Sequence, residues 1–328
     1  MNSIFLALEQ LRTQLSQALP ATPGIRHFDV SFPLNDAFDP LAWLGAQQCY
    51  PQFYWQQRSG DEELAALGAV IHFSSLALAS QFLHTQHAAS DTRICGLNAF
   101  SPEKGSLFLP RLLWRRTAGN ATLRLQLWSD RSLQDDARTA LELLQQLRPA
   151  RAIRPLSVQV ERETHLPQKP EWLTLIGKAT ETIARGDFEK VVLARATDLQ
   201  CKQRVNPVAL MAASRALNLN CYHFCMVFDA RNAFLGSTPE RLWRRRGKLL
   251  RTEALAGTVA SHTDDKQAQR LGEWLLNDDK NQRENMLVVE DICQRLQHHT
   301  QTLEVLPAQV VRLRKVQHLR RCIWTELK

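Results

Sequence analysis

The sequence predicts a mixed fold, α/β or α+β, and three observations support this class. Amphipathic helical stretches alternate with short runs of strand periodicity along the 328 residues. Two strand-like segments turn back at Gly119-Asn120 and at Arg246-Gly247, which is typical of β-hairpins. Hydrophobic residues make up 44% and charged residues 23% of the chain, as expected for a globular protein with a core.

Several classes of protein are disfavoured by composition. No apolar run approaches the roughly 20 residues that a membrane-spanning helix needs, and the N-terminus lacks the basic and cleavage regions of a signal peptide. The seven cysteines are scattered without a C-x-x-C pair, which argues against a disulfide framework and against zinc. We therefore expect a cytoplasmic protein without a membrane partner. The oligomeric state is not indicated.

The net charge of +8 raises nucleic acid binding as an alternative. The arginines are not gathered on one arm or helix, and no RNP, helix-turn-helix or zinc-finger pattern occurs. A basic balance equally suits an enzyme for a small polyanion, because positive potential steers such a ligand. We expect a small-molecule substrate and no nucleic acid.

The first 150 residues begin with an amphipathic helix. Over residues 1–19, leucines and an isoleucine recur on one face, and Pro20 closes the pattern. The strand at 52–56 places Phe53 and Trp55 on one side. The remaining elements predicted in this part are a strand at 68–73, a helix at 75–87 with Leu78, Phe82 and Leu83 inward, hairpin strands at 107–116 and 121–128, and a helix at 133–147.

Residues 148–170 carry several prolines and read as irregular. They could form a domain linker. However, residues 156–161 alternate like an edge strand, which favours a connection inside one domain. We expect a single domain over 1–328, with an N-terminal subregion at 1–150 and a motif-bearing region at 165–328.

The motif-bearing region starts with a helix that has Pro170 in its first turn and Gly186 as C-terminal cap. Lys190 then stands at the head of an apolar run, 191–194, which predicts a buried strand. The later elements are a helix from Asn206-Pro207, strands at 222–228 and 233–236, a hairpin at 243–251, a loop entered at 252–258, a helix from Thr263 or Asp264, a second helix capped at 277–279 and running to about 296, and strand-like residues at 310–327.

Three charged residues stand out as candidates for chemistry: Lys190, Glu240 and Glu284. Each also has a structural explanation. Lys190 could be a solvated strand end, Glu240 could pair with a neighbouring arginine, and Glu284 could pair with basic residues of its own helix. Composition and spacing alone support only an enzyme of unknown reaction.

Five segments occur in the order and style of motifs in the chorismate-utilising enzymes, and the chain resembles that family. The family includes isochorismate synthase, salicylate synthase, anthranilate synthase component I and aminodeoxychorismate synthase component I. Residues 50–55 and 67–70 also resemble the isochorismate-forming members. The resemblance implies antiparallel β-sheets in a sandwich-like core with helices packed outside. The five segments are 188–195, 236–242, 252–258, 279–288 and 316–319.

The resemblance implies a catalytic pair. Lys190 matches the lysine that acts as general base in the isochorismate-forming members. Members that use ammonia carry a different residue there, so water is the expected nucleophile. Glu240 matches the general acid. Moving a hydroxyl from C4 to C2 of chorismate requires a neutral Lys190 and a protonated Glu240, and such opposed protonation states are expected of a paired base and acid.

The resemblance also implies the binding groups. Glu284 matches the first glutamate that binds magnesium, Mg²⁺. Gly257 and Thr258 match the loop that lines the substrate cleft, and His318 matches a histidine near the bound ring. Magnesium would be held by carboxylate oxygens and would neutralise a substrate carboxylate.

The chain departs from the family after residue 328. The family continues with an arginine and a Gly-rich loop for the substrate carboxylates, and with the second magnesium glutamate. We therefore expect a fold whose C-terminal part is missing, a half-built metal site, reduced or no turnover, and unpaired sheet edges. Two rival hypotheses are a salicylate synthase-like member, which would also eliminate pyruvate, and a non-catalytic remnant of the family.

Overall fold

The computed structural model describes residues 3–17, 19–34, 38–117 and 119–328. Its helices are α1 Ser3–Leu15, α2 Pro40–Gly45, α3 Leu76–Thr85, α4 Leu133–Gln146, α5 Lys169–Arg185, α6 Pro207–Leu217, α7 Asp265–Asn277 and α8 Asp279–Leu296. Its strands are β1 Gly24–Pro33, β2 Gln52–Gln56, β3 Glu62–Phe73, β4 Cys95–Asn98, β5 Gly105–Thr117, β6 Asn120–Ser129, β7 Val160–Leu166, β8 Ala196–Cys201, β9 Tyr222–Val227, β10 Ala233–Thr238, β11 Arg244–Arg246, β12 Leu249–Ala260, β13 Thr300–Val305, β14 Gln309–Arg312 and β15 Val316–Leu327.

The chain forms two compact units. The first unit contains Met1–Pro155 and Pro207–Pro239, and the second contains Leu156–Asn206 and Glu240–Lys328. The single enzyme domain expected over 1–328 stays a prediction. In the described part of the chain, no helix is long and apolar enough to cross a membrane. All seven cysteines are free thiols.

The first unit is built on an antiparallel sheet of eight strands. The order is β1-β6-β5-β3-β2-β9-β10, and β4 pairs with β5. Helices α1, α4 and α6 pack on this sheet. Burial of large apolar side chains is the main source of its stability. Side chains with almost no exposure in this core include Leu11, Trp43, Trp114, Leu125 and Met211.

Most local predictions in the first unit are confirmed. Strand β2 has the predicted bounds, and β5 and β6 pair as a hairpin in which Thr117 lies opposite Asn120. The predicted apolar face of α1 is buried, but the helix ends at Leu15 rather than residue 19. Residues 1, 2 and 18 of that prediction lie outside the described residues.

The inward placement of Leu78 on α3 is wrong. Leu78 is 48% exposed, whereas Ala79 is buried. Ser75 caps the helix by accepting from the Leu78 amide, and the packed face carries Ala79 together with the predicted Phe82. Phe82 contacts Phe73 with 5.2 Å between ring centroids.

The second unit contains a five-stranded antiparallel sheet and a two-stranded sheet. The five-stranded sheet has the order β11-β12-β15-β13 with β14 also on β15, and β7 pairs with β8. Helix α8 packs on β12 and β15 through Val289, Ala254 and Ile323. Both N-caps predicted for the helix pair are confirmed, because Asp264 accepts from the Gln267 amide and Asp278 accepts from the Asn281 amide.

The buried strand predicted at 191–194 is wrong. Gly186 ends α5 as predicted, with φ +82°, but residues 191–195 are irregular and β8 begins only at Ala196. Val192 is 81% exposed. An apolar run becomes a strand only when a neighbour supplies hydrogen bonds, and no strand of the described residues pairs with this segment.

Segment 252–258 is part of β12, which ends at Ala260, and the loop predicted to follow the segment lies at 261–264. The pairing of β12 with β15 has an irregularity between Leu255 and Thr258. Gly257 lies there with φ +91°, a conformation that glycine adopts without steric cost. The edge strand predicted at 156–161 lies further along, as β7 from Val160 to Leu166.

Candidate active site

Lys190 and Glu284 are in direct contact in the second unit. Lys190 Nζ lies 3.2 Å from Glu284 Oε1, and the two side chains are 26% and 36% exposed. Lys190 stands just before the irregular segment 191–195, and Glu284 lies in the second turn of α8. The structure thus pairs the predicted base with the predicted metal ligand.

Thr258 and His318 form a second group on the sheet. They are opposite each other in the register of β12 and β15, and His318 Nδ1 lies 3.0 Å from Thr258 Oγ1. Burial lowers the pKa of His318, while a backbone hydrogen bond at Gly257 and the negative charge of Glu240 act in the opposite direction. The Glu240 carboxylate therefore lies close enough to His318 to influence its charge.

Helix α8 joins these two groups. Asn281 Oδ1 accepts a hydrogen bond from the Thr258 amide at 3.2 Å. Asn281 and Glu284 are three residues apart and lie on neighbouring positions of one helix face. A Cβ on Gly257 would stand 3.2 Å from Asn281 Cβ, so glycine lets the strand approach the helix closely. Helix α8 thus lies against Gly257 and Thr258 of β12 and also carries Glu284, the partner of Lys190.

The backbone after Glu240 is held by the start of β12. The Arg241 amide donates to Glu253 Oε1 at 3.1 Å, and Thr252 Oγ1 donates to the Leu242 carbonyl at 2.6 Å. The Glu253 side chain is 1% exposed. These bonds fix the peptide that carries the predicted general acid.

Sequence reasoning missed three polar residues of the site: Gln282, Asn285 and Arg321. Asn285 has no exposed surface. Its amide contacts backbone carbonyls of β12 and β15, and Arg321 bridges the side-chain oxygens of Asn285 and Gln282. The sequence signal that could have identified this group is the pair of asparagines at i and i+4, Asn281 and Asn285, next to the apolar stripe of the helix.

Among the described residues, no cluster of three or more His, Cys, Asp or Glu side chains could hold a metal ion. Glu284 offers one partly exposed carboxylate. Mg²⁺ usually keeps several waters and takes one or two protein carboxylates together with substrate oxygens. Glu284 therefore fits as one ligand of such an ion, and magnesium binding stays a prediction.

Comparison with known proteins identifies relatives over the whole chain. The family model described as chorismate binding enzyme matches residues 16–328. The chain is 65% identical to isochorismate synthase MenF of Escherichia coli (strain K12), over 100% of this chain and 76% of that protein. It is 37% identical to isochorismate synthase MenF of Pasteurella multocida (strain Pm70), over 89% of this chain and 66% of that protein.

The solved structures agree with the sequence relatives. The structure of MenF, the menaquinone-specific isochorismate synthase from Escherichia coli, superimposes with a TM-score of 0.97 at 64% identity, over 100% of this chain and 76% of that chain. DhbC from Bacillus anthracis shares the fold alone, with a TM-score of 0.66 at 20% identity over 88% of this chain and 72% of that chain. The predicted class of mixed α/β fold with antiparallel sheets is confirmed.

Proposed function

Since the chain belongs to the family of chorismate binding enzymes, we propose that it is an isochorismate synthase of menaquinone biosynthesis. It is an isomerase that moves the hydroxyl of chorismate from C4 to C2. The observation that carries the proposal is the joining of two groups by α8, the Lys190–Glu284 pair and the Thr258–His318 pair. A cytoplasmic location is proposed with it, because seven free thiols suit a reducing compartment.

Lys190 is the general base of the proposed reaction. It takes a proton from the water that attacks C2, and it must be uncharged to do so. In the structure, Lys190 Nζ donates a hydrogen bond to Glu284 Oε1 at 3.2 Å, so the two side chains hold each other in place. Glu284 would hold Mg²⁺, and the ion would neutralise a substrate carboxylate.

Glu240 is the general acid. It donates a proton to the C4 hydroxyl as that hydroxyl leaves, so its carboxylate must take up a proton before each turnover. His318, whose pKa is lowered by burial, is neutral at pH 7 and presents its ring beside Thr258. A neutral imidazole and a hydroxyl can hydrogen-bond the substrate without adding charge near the leaving group. Gly257 lets the β12 backbone line the proposed substrate site beside Thr258.

The test is an assay of the purified chain with chorismate and Mg²⁺, with products separated by chromatography. Isochorismate is the expected product, and its formation should stop in Lys190→Ala. Lys178→Ala, an exposed lysine of α5, is the matched control and should keep full turnover.

Two results would favour the rival hypotheses. Salicylate and pyruvate among the products would favour a salicylate synthase-like enzyme. Chorismate that stays unconsumed at any Mg²⁺ concentration, with no difference between Lys190→Ala and the unmodified chain, would favour a non-catalytic member of the family.

A further inference from the structure

Asn285 is a fully buried side chain with an unusual number of hydrogen bonds. Its Nδ2 lies 3.2 Å from the carbonyl of Ala254, 3.1 Å from that of Ala256 and 3.0 Å from that of Leu319. An amide nitrogen has two hydrogens, so one of them is shared between two acceptors. These carbonyls belong to β12 and β15, which means that one side chain of α8 binds both strands.

The carbonyl of Ala256 lies at the irregularity of β12. Ala256 and Gly257 have no opposite residue in the register with β15, where pairing shifts between Leu255 and Thr258. A partly buried carbonyl that lies outside the strand ladder needs another donor. Asn285 supplies that donor and thereby stabilises the backbone shape that leads to Thr258.

Arg321 sets the orientation of the Asn285 amide. Arg321 Nη1 donates to Asn285 Oδ1 at 2.7 Å, and Nη2 donates to Gln282 Oε1 at 2.5 Å. The three carbonyls can only accept and the guanidinium can only donate, so just one orientation of the amide satisfies all partners. Hydrogen bonds therefore hold both the Nδ2 and the Oδ1 atoms of Asn285.

We propose that Asn285, oriented by Arg321, is a positioning residue of the active site. It fixes the position and rotation of α8 relative to β12 and β15. The same helix places Glu284 in contact with Lys190, and Asn281 in contact with the Thr258 amide. A shift of α8 changes both contacts at once. The inference rests on the proposed function, since it assigns these contacts to catalysis.

The decisive variant is Asn285→Ala, which removes the contacts to the three carbonyls and the bond from Arg321 Nη1. Asn277→Ala is the matched control, because Asn277 is an exposed helical asparagine that bonds a carbonyl of its own helix. Turnover is expressed per folded molecule, with the folded fraction taken from circular dichroism. We expect kcat to fall by about 10- to 100-fold in Asn285→Ala, the scale of a misplacement near 1 Å, while KM changes by less than about threefold.

Hydrogen exchange at the Thr258 amide provides a readout that does not depend on activity. This amide is bound by Asn281, so loosening of α8 should speed its exchange by about tenfold or more in Asn285→Ala and leave it unchanged in Asn277→Ala. If Asn285→Ala does not fold, Arg321→Leu tests the same arrangement by removing the donor to Asn285, together with the bond to Gln282. The same two changes are expected in smaller degree.

The results separate the two hypotheses. Unchanged kcat per folded molecule together with unchanged exchange at Thr258 would overturn the positioning role. A loss of activity that only follows the loss of folded protein would overturn it as well. An unmodified chain without isochorismate synthase activity would contradict the proposed function. Faster exchange at Thr258 in Asn285→Ala would then still show that Asn285 positions α8 against this part of β12.

Discussion

Lys190 and Glu284 are 94 residues apart in the chain, and their Nζ and Oε1 atoms lie 3.2 Å apart. The pair links the irregular segment after α5 to helix α8. Both side chains keep part of their surface in water, and ion pairs of this kind contribute only about 0–1 kcal/mol to stability. The contact therefore matters for where it places two charges rather than for the stability it adds.

Replacement of Glu284 by glutamine should separate activity from stability. Glu284→Gln removes the charge but keeps the shape, so the free energy of unfolding should fall by less than about 1 kcal/mol. Turnover should fall by about 100-fold or more if Glu284 holds magnesium, since losing such a ligand removes several kcal/mol of charge stabilisation. Urea unfolding and kcat measure the two quantities. Glu290→Gln, at an exposed position of α8, should change neither. Parallel loss of stability and activity in Glu284→Gln would contradict the assignment.

Replacement of Gly257 by alanine should destabilise the β12 irregularity. The backbone has φ +91°, and the new Cβ would stand 3.2 Å from Asn281 Cβ and Oδ1. Strain and crowding together should cost about 1–3 kcal/mol of unfolding free energy. Gly247→Ala is the control, because Gly247 has φ +58° with nothing within 4 Å of the added Cβ. In urea unfolding, the loss of unfolding free energy in Gly257→Ala should exceed that in Gly247→Ala. Equal losses would show that Asn281 moves aside without an energetic penalty.

The charge of Glu240 should be visible in the titration of His318. Burial lowers the pKa of His318 and the Glu240 carboxylate raises it, so Glu240→Gln should lower that pKa further. Nuclear magnetic resonance of the histidine ring carbons against pH measures the shift. Glu304→Gln, an exposed carboxylate of β13, should leave the titration of His318 where it was. An unchanged His318 titration in Glu240→Gln would mean that the two side chains do not share the site.

Acid should destabilise the first unit through His223. Burial and the nearby Arg215 lower the pKa of His223 from 6.5 to about 4, and its Nδ1 lies 2.8 Å from Ser237 Oγ. Above pH 6.5 the folded and unfolded states are both neutral at this residue, so it contributes no pH dependence. Between pH 6.5 and 4 the unfolded state binds the proton first, and stability is lost as pH falls, by roughly 3 kcal/mol at most.

The His223 prediction is checked by urea unfolding at pH 7.5 and pH 4.5. His223→Gln should be less stable than the unmodified chain at pH 7.5 but should lose less stability on acidification. His298→Gln, which replaces an exposed histidine, should keep the pH dependence of the unmodified chain. A pH dependence that His223→Gln does not reduce would assign the effect to other groups.

Local chemistry made much of the fold predictable from the sequence. The caps at Asp264, Asp278 and Gly186 end or begin helices where the sequence predicts, because each satisfies backbone groups within a few residues. The turns at Gly119-Asn120 and Arg246-Gly247 gave both hairpins for the same reason. Among the site residues, Lys190, Glu240 and Glu284 were found through motif resemblance, and their catalytic roles stay predictions.

Only the tertiary structure decided which segments meet. The run at 191–194 has the composition of a buried strand, yet it is irregular, because strand formation depends on a partner that its own residues do not specify. Asn285 reads as an ordinary helical asparagine until β12 and β15 bring three carbonyls to it. The sequence by itself determined the capped helix ends at Gly186, Asp264 and Asp278 and the two hairpin turns, since those hydrogen bonds are local. The contact of Lys190 with Glu284 needed the folded chain, because the position of α8 is set by hydrogen bonds to strands distant in sequence.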